Sequence, residues 1–120
     1  MTPGEIYNTK RENFIDKSIT QFGFLVSVYR YDSPIHRIFK QANGVVTCDE
    51  FEYASSQKTI IIHNAYHPVD YGFEINIINH LTKDSDMVYH VLKEQQDMEQ
   101  SYLPKAAEYL RSLLASSSSS

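Results

Sequence analysis

The sequence has no tryptophan, a single cysteine, four glycines and four prolines, and its apolar runs are as short as Ile60-Ile61-Ile62. Each scarcity excludes something. Cys48 alone cannot close an intramolecular disulfide, which fits a reducing compartment. No run approaches the roughly 20 apolar residues that a helix needs to cross a bilayer, so no membrane association is expected. Met1-Thr2-Pro3-Gly4-Glu5 carries neither a basic stretch nor an apolar one, so no secretory leader is expected and a cytoplasmic location is the natural reading. With so few glycines there is no GxxxxGK[ST], no GxGxxG and no Gly-x-Ser-x-Gly, and one cysteine makes no CxxC. No nucleotide or other cofactor is expected.

Strong positive charge is missing too. The net charge is −4 and the isoelectric point about 5.7, and Lys10, Arg11, Lys17, Arg30, Arg37 and Lys40 are interleaved with other residues rather than gathered into a stripe. A duplex or single strand is held chiefly through its phosphates, so nucleic acid is not an expected partner.

What is present suits one small folded unit. The 120 residues leave no room for a second core, and a hydrophobic content of 42% is enough to offset the entropy of ordering one. A single domain over residues 1–115 is expected, with Ser116 to Ser120 set aside as a disordered tail because five serines have nothing to bury. Thr2-Pro3-Gly4-Glu5 has capping-box spacing, and Tyr7, Phe14, Ile15, Ile19 and Phe22 follow at helical intervals, so a helix over residues 3–22 is predicted with Gly23 closing it.

After Gly23 the period changes to two, and five strands are predicted. Phe24, Val26 and Val28 against Leu25, Ser27 and Tyr29 give the first, and Asp32-Ser33-Pro34 turns into the second, Ile35 to Lys40. Asn43-Gly44 is a strong hairpin signal leading into the third, Val45 to Tyr53. Thr59 to His63 is apolar on both faces and so belongs at the sheet centre, and Phe73 to Ile77 alternates with Glu74 and Asn76. Two C-terminal helices are then expected: one capped by Asp84 or Ser85 and carrying Met87, Val88, Val91, Leu92, Gln95 and Met98, the other running through Ala106, Ala107, Leu110, Leu113 and Leu114 after a break or kink that Pro104 forces near Tyr102-Leu103. The fold class is therefore α+β: an N-terminal helix, a five-stranded antiparallel meander, and two C-terminal helices packed with it on one face.

Few side chains suggest chemistry. His63 and His67, with Asp70 three residues beyond and His80 after the last strand, are the right types for a zinc site, but His-x-x-x-His aligns two rings only on a helix and Pro68 opposes one. No metal is expected, with these four as the candidates if one binds. Cys48 paired with a histidine has the composition of a nucleophile and base, but alternation with Val46 reads as a small core residue, so no catalytic residue is assigned. Asp49, Glu50 and Glu52 form an acidic run beside Phe51 and Tyr53; period two puts Glu50 and Glu52 on one face and Asp49 on the other. Tyr66 and Tyr71 flank the long loop of residues 64–72, where function concentrates.

At Ile19-Thr20-Gln21-Phe22-Gly23-Phe24, and in the amphipathic end from Leu103 to Leu114, the layout resembles small uncharacterised bacterial proteins of the toxin-immunity kind, with a helix, then an antiparallel sheet, then closing helices. The resemblance implies a compact, often acidic inhibitor that binds a cognate toxin, and it transfers no functional residue. The composition and the missing catalytic signatures give the same expectation: a non-catalytic module binding a basic protein partner through Glu50, Glu52, Tyr53, Tyr66, Asp70 and Tyr71. The alternatives are a metal-dependent enzyme built on His63, His67 and Asp70, or a self-associating protein joined by a strand edge or by the Leu110-Leu113-Leu114 face.

Overall fold

A computed structural model describes residues 2–66 and 72–118. Helix α1 spans Pro3–Gln21 and begins as its capping box requires: the Glu5 amide donates to the Thr2 hydroxyl at 3.2 Å while the Glu5 carboxylate accepts in return. It buries Phe14 and Ser18, with Phe22 at its end, while Ile19 is exposed.

Residues 24–29 do not form a strand. They fold into the short helix α2, Phe24–Ser27, in which Ser27 and Val28 donate back to the carbonyls of Gly23 and Phe24 at 3.1 and 2.9 Å. The alternation of Phe24, Val26 and Val28 is real, but a strand needs a neighbour to satisfy its backbone, and a turn of helix satisfies it locally. Arg30, with φ of 64°, reverses the chain after it.

The sheet then runs β1 (Ile35–Lys40), β2 (Val46–Ala54), β3 (Lys58–Ala65), β4 (Phe73–Asn79) and β5 (Ser85–Val91), in that spatial order and antiparallel throughout. The expected meander is therefore correct, with β3 at its centre. Asn43-Gly44 makes the β1–β2 turn, although only Gly44 takes a positive φ, 88°, and the loop closes through Gln41 and Val45. This is the three-residue loop rather than the two-residue form.

The segment expected to be the first C-terminal helix is β5 followed by a 3-10 turn at Lys93–Gln95. Its helical look has a definite source. Ile75 pairs with Tyr89 and Asn76 with Met87, so Val88 is an extra residue that interrupts the alternation and mimics a longer period. One C-terminal helix remains, α3, Leu103–Ser118. Pro104 starts it instead of breaking it, because its missing N–H costs nothing in the first turn. The helix carries Ser116 to Ser118 with it, three residues beyond the expected domain boundary, while Ser119 and Ser120 lie outside the described residues.

Both long helices lie on one face of the sheet. Phe14 meets Phe51, Tyr66 and Phe73 with ring centroids 6.0–6.5 Å apart, and Leu103, Ala106, Leu110 and Leu114 of α3 join the same cluster as Ile60, Ile62 and Ile75. Leu110 and Leu114 are thus used in the protein's own core and are not free to join a second copy. Among the described residues, no helix is long and apolar enough to cross a membrane.

Candidate partner-binding surface

Alternation along the strands sorts every side chain to one of two faces. On β2, Asp49, Phe51 and Tyr53 point to the helices and are buried, while Cys48, Glu50 and Glu52 take the opposite face. On β3 the corresponding outer set is Thr59, Ile61 and His63, and on β4 it is Glu74 and Asn76. No described helix packs over this outer face.

Register turns the outer residues into a row. Arg37 stands opposite Glu50, Glu50 opposite His63, His63 opposite Glu74, and Glu74 opposite His90, so one ladder of ionisable groups crosses all five strands. Arg37 Nη1 donates to Glu52 at 2.7 Å and lies 4.0 Å from Glu50; Glu50 meets His63 Nδ1 at 3.2 Å. Glu50, Glu52 and Glu74 set three carboxylates against the one guanidinium, Arg37, in this row and its neighbour.

Cys48 lies against the same histidine. Its sulfur is 3.4 Å from His63 Nδ1 and 3.5 Å from Nε2. Near-equal distances to both nitrogens put the thiol over the ring face, whereas a base that takes a thiol proton aims one nitrogen at the sulfur in the ring plane. Cys48 is itself buried. The arrangement packs a buried thiol against an imidazole.

The opposite face holds a polar centre that the sequence did not disclose. Asp49 is fully buried, and three side chains serve its carboxylate: Arg11 through Nε at 2.7 Å and Nη2 at 3.1 Å, His36 Nε2 at 2.8 Å, and the Tyr66 hydroxyl at 2.9 Å. His36 also stacks on Phe51 with centroids 4.5 Å apart. The carboxylate ties α1, β1 and the end of β3 to β2, and its oxygens are occupied by these donors. Burial first, and the Asp49 charge second, push the Tyr66 hydroxyl far above its ordinary range, which keeps it a donor. A second buried group centres on Asn64 and Gln100: Asn64 donates to Gln100 at 3.1 Å, Gln96 donates to Asn64 at 3.1 Å, and the Tyr102 hydroxyl donates to Gln100 at 2.6 Å. These amides are paired to one another rather than aimed at a cleft, so they fasten the segment before α3 to the sheet.

The expected contact residues therefore divide. Glu50 and Glu52 stand on the face that no described helix covers, as period two requires. Tyr53 is 1% exposed in the core and Tyr66 is buried at the Asp49 centre, so neither presents a surface. Asp70 and Tyr71, with His67, lie outside the described residues. His80 sits beyond the end of β4, where its ring meets the Thr59 hydroxyl at 2.7 Å and the Ser56 carbonyl at 3.2 Å. Thr59 and His63 are four residues apart on β3, about 13 Å along a strand, so the His63 and His80 rings do not converge. Among the described residues no three potential ligands come together around a point. Arg37, Glu74 and His90 were missed as members of the face. Their register partners are the only signal, and register requires the pairing of strands. Comparison with known proteins finds no matching family model, no similar curated protein and no similar solved structure.

Proposed function

We propose that this protein is a non-catalytic binding module that receives a basic protein partner on the sheet face that no described helix covers, in the manner of an immunity or inhibitor protein that occludes its target. One observation carries the reading: both long helices are used on one face, and the other presents Glu50, Glu52 and Glu74 around Arg37 with Ile61 and Asn76 between them. A surface of carboxylates interspersed with apolar side chains steers and holds a cationic partner, the charges setting association rate and the apolar groups setting residence. The cytoplasm suits a protein whose one thiol stays reduced.

The test is site-specific photocrosslinking in extract from the source cell, with the crosslinker at Ile61 on the outer face or at Glu108 on α3. A single partner of basic isoelectric point trapped from Ile61 and not from Glu108, and lost in Glu52→Lys/Glu74→Lys at unchanged melting temperature, is the expected result. Equal trapping from both positions, or trapping indifferent to the charge reversal, would refute the reading.

A further inference from the structure

The two edges of the sheet differ. On β5 the exposed stretch carries Asp86, with Asp84 just before it, and the extra residue Val88 disturbs its pairing. That is how a sheet edge is ordinarily guarded against other strands: charge and a bulge. On β1 all six residues are exposed. Three of them are large and apolar, Ile35 at 53%, Ile38 at 45% and Phe39 at 44% exposed, and the other three are His36, Arg37 and Lys40. No aspartate or glutamate occurs from Ser33 to Cys48. The register shift of β1 falls between Phe39 and Lys40, so Ile35 to Phe39 is regular strand. Because β1 pairs with β2 alone among the described strands, half of its backbone N–H and C=O groups point away from the sheet.

We infer that the β1 edge is a second binding site, one that takes an extended acidic peptide as a sixth antiparallel strand. Main-chain hydrogen bonds would supply affinity, and the alternating side chains would read the sequence. On the outer face the incoming strand meets Ile35, Arg37 and Phe39; on the helix side it meets His36, Ile38 and Lys40. Directly opposed residues share a face, so the complement to Lys40, Phe39, Ile38, Arg37, His36 and Ile35 is, in order along the antiparallel peptide, acidic, apolar, apolar, acidic, acidic, apolar. The guanidinium of Arg37 keeps donors to spare beyond its bond to Glu52. This site adjoins the basic-partner surface and shares Arg37 with it, but it selects the opposite charge and uses backbone groups that the sheet face does not offer.

The experiment uses the full chain and three labelled peptides in fluorescence anisotropy: Glu-Val-Val-Glu-Glu-Val between glycine spacers, its Lys-Val-Val-Lys-Lys-Val counterpart, and the acidic peptide N-methylated at alternate residues. The acidic peptide should bind about tenfold more tightly than the basic one, as two modest cross-strand charge pairs, to Arg37 and Lys40, imply. N-methylation should abolish binding. Lys40→Glu should weaken it about fivefold, while Lys105→Glu on α3, of equal charge change, should not. Peptides of either sign binding alike, neither binding, or N-methylation having no effect would overturn the inference. So would a sedimentation mass that rises with concentration and falls in Lys40→Glu, since a second copy would then occupy the edge. None of these outcomes depends on whether a basic protein binds the sheet face.

Discussion

Asp49 and Glu50 are adjacent in the chain and carry the same charge, yet one strand sends them to opposite fates. Asp49 enters the interior, where removing water from a carboxylate is tolerable only because Arg11, His36 and Tyr66 replace the water. Glu50 stands on the face that no described helix covers, half-buried and partnered loosely by His63 and Arg37. The difference separates enclosure from exposure: the inner carboxylate holds four parts of the fold together, and the outer ones lie on the face where we propose a partner binds.

Substitutions on the two sides of β2 test that contrast. The largest loss should come from Phe51→Ala, which empties a buried ring site contacting Phe14 and His36 and should cost about 4 kcal/mol in urea denaturation. Asp49→Asn should follow at about 3 kcal/mol, because it strands the Arg11 guanidinium against a neutral group in a partly buried setting. If Asp49→Asn were as mild as an outer substitution, the inner carboxylate would not be the tie described here. Glu52→Ala removes only its bond to the half-exposed Arg37 and should change stability by less than about 0.5 kcal/mol.

Alkaline pH probes the inner side through its buried tyrosines. Burial pushes the Tyr53 hydroxyl up to about 12 and raises Tyr66 and Tyr102 further. An unfolded tyrosine titrates near pH 10, so the unfolded chain sheds these protons first. The stabilisation from keeping Tyr53 protonated is complete below about pH 10 and is lost as pH rises through about 12. Denaturation midpoints measured at pH 9, 10 and 11 should therefore fall with a steepening slope, and Tyr53→Phe should make that slope shallower. The smallest expected effect, on stability, is that of Lys40→Glu on the exposed β1 edge, where a change within about 0.5 kcal/mol is the outcome consistent with a side chain held by no core contact.

Much of the architecture was legible, for reasons that can be named. Thr2 and Glu5 mark the start of α1 because the capping box is a local device, complete within four residues. Asn43-Gly44 and the alternations of β2, β3 and β4 identify those strands, since a positive-φ glycine and a half-buried pleat leave plain patterns. The illegible elements were the two whose patterns were ambiguous in themselves. Residues 24–28 alternate like a strand but have no strand beside them, and residues 85–92 look helical because Val88 adds one residue to a bulged strand. The errors compensate in number, so five strands were expected and five are present, although not the same five.

The site shows the same division. Period two alone placed Glu50 and Glu52 together and Asp49 apart, and the structure agrees. Tyr53 and Tyr66 misled, because tyrosine serves equally as a surface anchor and as a buried donor, and only the packing of α1 and α3 chooses between them.

Local chemistry written in consecutive residues, namely caps, turn glycines and strand alternation, was enough to indicate an α+β fold with a five-stranded antiparallel sheet and a carboxylate pair on one strand face. Which strands became edges, which face the helices left open, and which acid was enclosed by Arg11, His36 and Tyr66 emerged only with the tertiary structure. The reason is physical: those outcomes depend on groups 13 to 38 positions apart in the chain meeting in space, and no local pattern encodes such a meeting.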